Sequence, residues 1–78
     1  MPKMPFPKYE RLITIAEFRP GADNVPVGHA SAEDLPKAIR AWFAAEAGPL
    51  GLSDPLFTAN TVTAKDGDGD QVTYVATD

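Results

Sequence analysis

The chain has no cysteine, a single histidine and a single tryptophan. Without cysteine it can form neither a disulfide nor a thiolate metal site, which suits a reducing compartment. No apolar run approaches the ~18 residues of a membrane-spanning helix. The opening Met-Pro-Lys-Met-Pro-Phe-Pro lacks the apolar core of a secretory signal, so the expected location is the cytoplasm. Positive charge is scarce in the second half: residues 1–43 hold six basic and five acidic groups, and residues 44–78 hold one basic and six acidic. The net charge of −4 is therefore a C-terminal property. It argues against direct nucleic-acid binding, which needs a basic footprint. Catalytic signatures are missing too. His29 and Ser31 are close in sequence, but no nucleophile elbow accompanies them. No carboxylate pair is marked out by apolar surroundings. Gly67 and Gly69 alternate with acids that would repel a phosphate. The reading is of a chain that is not an enzyme and takes no cofactor or metal.

What the chain does have is a hairpin. Residues 61–65 and 71–77 are rich in Val, Thr and Tyr, and they flank a tip made only of Asp and Gly. With the turn centred on Asp68, Val62 faces Tyr74, Thr63 faces Thr73, Ala64 faces Val72 and Lys65 faces Gln71. Side chains alternate faces along a strand. Val62, Ala64, Val72, Tyr74 and Ala76 then form one apolar face. Thr61, Thr63, Thr73 and Thr77 form the other, which is polar except for Val75. A slip of one residue would mix the faces, so the register is well specified. The tip is predicted as a three-residue loop, Gly67-Asp68-Gly69, with Gly69 left-handed and Asp66 opposite Asp70.

The rest of the chain reads as a small sheet and one helix. Residues 1–7 hold three prolines and form an extended arm carrying Phe6. Residues 9–19 are ambiguous: Tyr9, Leu12, Ile13 and Ala16 fit a helical stripe, whereas Ile13-Thr14-Ile15 favours a strand. A strand is preferred, ended by Pro20-Gly21 in a type II turn. Val25-Pro26-Val27 is a short strand that belongs at an edge, because Pro26 has no N–H to donate. Of Ser31 and Asp34 as starts for the helix, Asp34 is preferred, because it leaves Pro36 harmless near the start; Leu35, Ile39, Trp42 and Phe43 then share a face. Gly48-Pro49 is expected to stop it. Leu50, Leu52, Leu56 and Phe57 are expected to plug the core, with a helical turn beginning at Pro55 and capped by Ser53 or Asp54. The expected fold class is α+β: one domain over 1–78, built as ββ-α-ββ, with an antiparallel sheet and the helix on one face.

The carboxylates of the second half are the candidate site. Asp66, Asp68 and Asp70 match the first, third and fifth positions of an EF-hand calcium loop. The match then fails, because Gln71 stands where the bend needs Gly and Thr77 where the ion needs Glu. Asp66, Asp68, Asp70 and Asp54 are read instead as contacts for a basic protein surface, and the plain alternative for the Asp66–Asp70 tip is a solvated turn. Leu35 through Trp42-Phe43 into Gly48-Pro49-Leu50-Gly51-Leu52 resembles a run in a member of the anti-CRISPR proteins. These are small, acidic, phage-encoded inhibitors of type I CRISPR surveillance complexes. They share no functional motif, so no residue's role carries over. The resemblance implies binding to a Cas subunit, in the cytoplasm of a bacterial host, and blocking of target capture. The alternative reading is a structural or accessory domain that self-associates through the Val25–Val27 edge, with no inhibitor role.

Overall fold

The computed structural model describes residues 12–21, 24–31 and 34–77. The Phe6 arm and the first residues of the predicted 9–19 strand lie outside them. Five antiparallel strands and one helix succeed one another as β1 (Leu12–Phe18), β2 (Val25–Ser31), α1 (Leu35–Leu50), β3 (Ser53–Phe57), β4 (Thr61–Lys65) and β5 (Gln71–Thr77). The sheet runs β2-β1-β5-β4-β3. The class is therefore α+β, as expected, but the order is ββ-α-βββ. The additional strand is Ser53–Phe57, where a helical turn was predicted.

The hairpin is the part the sequence specifies best. Val62 pairs with Tyr74, Thr63 with Thr73, Ala64 with Val72 and Lys65 with Gln71. Val62, Ala64, Val72, Tyr74 and Ala76 are all buried, each at 1% exposure or less. β1 docks against β5 with Ile15 opposite Ala76, and Ile13 and Ile15 join the same buried face. On the other face, the hydroxyls of Thr63 and Thr73 lie 3.1 Å apart.

The helix covers the apolar face. Asp34 caps it in extended conformation, and its carboxylate accepts the Lys37 N–H at 2.9 Å. Ala38, Ile39, Trp42 and Phe43 are buried. The Trp42 and Tyr74 rings lie 4.6 Å apart, and Phe43 meets Phe57 edge-on at 5.5 Å. Each such side chain contributes roughly 1.5–3 kcal/mol by burial.

Two expectations need correction, one about the helix end and one about the segment after it. Gly48-Pro49 does not stop the helix. It runs on to Leu50 and ends at Gly51, which is left-handed at φ 69°. The N–H of Gly51 bonds the Gly48 carbonyl at 3.1 Å, and that of Leu52 bonds the Ala47 carbonyl at 2.9 Å. This pair closes a Schellman motif, which favours a residue without Cβ at Gly51 and tolerates Pro49 just before it. Nor do the four apolar residues Leu50, Leu52, Leu56 and Phe57 all plug the core. Leu52 and Phe57 pack against it, but Leu50 and Leu56 are 44% and 65% exposed. Strand alternation explains the last pair: Phe57 lies opposite Val62 on the helix side, and Leu56 opposite Thr63 on the open side.

β2 is an edge strand, as Pro26 requires, and it extends beyond Val27 to Ser31. A bulge accompanies the proline, since Ile15 pairs with Gly28 and Ala16 with Pro26. His29 therefore stands on an exposed strand position opposite Thr14.

Candidate functional site: an acidic end braced by Arg19

The hairpin tip closes as its sequence predicts. The Asp66 N–H bonds the Asp70 carbonyl at 2.9 Å, and the Gly69 N–H bonds the Asp66 carbonyl at 3.0 Å. Gly69 sits at φ 85°, where a residue with Cβ would be strained. The loop is thus a turn followed by a left-handed glycine, the common three-residue hairpin.

The three tip carboxylates have different roles. Asp66 Oδ1 accepts the N–H groups of both Asp68 and Asp70, each at 2.9 Å. Its Oδ2 accepts Arg19 Nη1 at 2.8 Å. The Asp66 side chain is only 11% exposed. Asp68 and Asp70 are exposed. Asp66 thus holds the turn together and ties it to the body. The Asp66 charge, opposed to that of Asp70 across the tip, finds its positive partner in Arg19.

Arg19 carries no signal of this role in the sequence. It comes directly after the last residue of β1, and the β1–β5 pairing brings it beside the tip, 47 positions away in the chain. Its Nε also contacts Glu17 Oε2 at 3.2 Å, and the Tyr74 hydroxyl donates to the same Glu17 oxygen at 3.0 Å. The result is a chain of contacts, Asp66–Arg19–Glu17–Tyr74, that links the sheet's end to its core. The guanidinium of Arg19, followed by the Asp70 N–H, holds the Asp66 carboxyl below its usual range. Burial, followed by the bond to Glu17, pushes the Tyr74 phenol up to about 12. The bonds to Asp66 and Glu17 raise the Arg19 guanidinium further. A shallow hollow of about 330 Å³ opens between Arg19, Pro20, Asp70 and Gln71.

Asp54 is exposed, next to Ser53, which pairs with Lys65 at the same end of the sheet. It is the one non-glycine residue among those described with positive φ, at 52°, a conformation Asp tolerates better than most. The helix end arrives here as well: a Cβ built on Gly51 would stand 3.9 Å from the Gly67 Cα. The last turn of α1 holds no basic residue, so the negative end of the helix dipole faces the tip uncompensated from within the helix. The structure thus brings Asp66, Asp68 and Asp70 together and places Asp54 at the same end, with Asp66 turned inward.

The tip carboxylates can bring one oxygen each to within 4.8 Å of one another. Both Asp66 oxygens are already engaged, one by two amides and the other by a guanidinium. A cation placed there would sit beside Arg19, so this donor set is suited to closing the turn rather than to holding a metal. No helix among the described residues is long and apolar enough to cross a membrane. Compared with known families, curated proteins and solved structures, the chain matches none.

Proposed function

We propose that the protein is a non-enzymatic interaction protein whose acidic end docks on a basic protein surface. In this reading the partner is a Cas subunit of a type I CRISPR effector complex, and the bound protein blocks nucleic-acid target binding in the cytoplasm of the bacterial host. The observation that carries the reading is the preorganised acidic end. Asp68 and Asp70 are exposed on a turn whose shape is fixed by Asp66 and Arg19. Preorganisation reduces the ordering cost of binding. Carboxylates held at one end also steer encounter with a Lys- and Arg-lined groove. Asp54 and the C-terminal end of α1 add negative potential there.

Affinity capture from bacterial lysate, followed by mass spectrometry at low and high salt, tests this. The expected catch is a protein with a nucleic-acid groove that is retained at low salt and released at high salt. A catch that is insensitive to salt, or that is unchanged when Asp68 and Asp70 are both replaced by Asn, would remove the acidic end from the account.

A further inference from the structure

The two edges of the sheet are finished differently. β3 is interrupted: Asp54 is left-handed, Pro55 lacks an N–H, and the register with β4 breaks between Ser53 and Leu56. It offers no continuous run of pairing groups. β2 also carries a proline and a bulge, but both lie in its first half. From Gly28 to Ser31 its register with β1 is unbroken. The strand contains no Asp, Glu, Lys or Arg. Val25 and Val27 are 51% and 43% exposed. The Trp42 indole backs the strand so closely that a Cβ on Gly28 would meet its Nε1 at 2.9 Å.

We propose that β2 pairs antiparallel with β2 of a second copy, joining two sheets across a two-fold axis. A strand without formal charge gives a basic or acidic peptide no ionic partner, yet it can face itself without opposing like charges. Val25 lies opposite Glu17, at the Arg19 end of the sheet. Antiparallel pairing therefore turns the two acidic ends in opposite directions, which separates the net charge of −4 on each chain. The contact is isologous and closes at two copies, and the interrupted β3 edge gives it no route to a fibre. Two chains that each carry a net charge of −4 repel one another, so screening tightens the dimer as salt rises. Docking of the acidic end on a basic partner has the opposite salt dependence, so the two readings can fail independently.

Light scattering of the full chain across concentration, at low and high salt, reads this directly. The mass should climb toward double the 8.3 kDa of one chain, at lower concentration in high salt. Val27→Lys, which adds a charge to the edge, should hold the monomer mass with an unchanged circular dichroism spectrum and melt. Leu56→Lys, on β3, should leave the dimer intact. A monomer at every concentration up to millimolar overturns the proposal. So does a dimer that survives Val27→Lys, or one that is lost in a folded Leu56→Lys.

Discussion

The helix-covered face and the acidic end are held by different forces. Under the helix, Ile13, Ile15, Ile39, Trp42, Val62, Val72 and Tyr74 are buried with no charged group among the buried residues described. At the acidic end, charge-assisted hydrogen bonds run from Asp66 through Arg19 to Glu17, and the Arg19 side chain is 37% exposed. The first region sets whether the chain folds. The second sets the shape of a surface loop, at a site where solvent screens each ion pair. Substitutions at Asp68 and Asp70 should therefore alter binding without touching stability, whereas substitutions under the helix should lower stability and affect binding only through loss of the fold.

The contrast is sharpest at Trp42. Trp42→Ala should cost about 3–5 kcal/mol, which a thermal melt will register as unfolding or near-unfolding of so small a domain. A melt close to wild type would mean that this helix face is not the core. Gly28→Ala should come next. Its new Cβ would stand 2.9 Å from the Trp42 indole, and a ring packed on the core cannot swing aside. A loss of about 1–3 kcal/mol by denaturant titration is expected, with a shift in the Trp42 emission.

Asp66→Asn should be milder and should show itself chiefly as a change in pH dependence. The Asp66 carboxyl is held below its ordinary 3.8. Its contribution is present above that value and is lost as pH falls through the lower folded one. The variant's acid limb, measured by melts from neutral pH downward, should be flatter than wild type. Tyr74 supplies the alkaline counterpart. With its phenol moved from 10.0 to about 12, its contribution holds below 10 and fades across that interval, and Tyr74→Phe should remove this limb. The smallest effect belongs to Asp54→Gly. Relief of the left-handed strain and the added freedom of the unfolded chain oppose each other, so between no change and about 1 kcal/mol of gain is expected. A large loss would show that the Asp54 side chain braces β3.

How far these regions could be read from sequence obeys the same division. The β4–β5 register was legible because strict alternation leaves one solution and the Asp-Gly tip marks its centre. The helix start was legible because Asp34 sits two residues before Pro36, where the missing N–H costs nothing. The helix end was not, because Gly48-Pro49 looks like a stop while Gly51, three residues after Gly48, supplies the left-handed residue that the Schellman bonds require. β3 was hidden for a similar reason. Ser53-Asp54-Pro55 has the look of a helix cap, and only pairing with β4 makes it a strand. At the candidate site, the turn geometry and the gathering of Asp66, Asp68 and Asp70 were visible locally. The inward role of Asp66 was not. It depends on Arg19, and that contact depends on the β1–β5 register, for which two strands distant in sequence carry no local signal.

The central claim is that Asp68 and Asp70 form a contact surface separable from the fold. It is tested most directly by target-DNA capture on purified type I surveillance complexes, with the wild-type protein and the Asp68→Asn/Asp70→Asn double variant compared at matched melting temperature. The account predicts that the wild type blocks capture by at least one complex, that the block weakens with salt, and that the double variant fails to block while melting as the wild type does. Equal blocking by both proteins, or no blocking of any complex by the wild type, would contradict it.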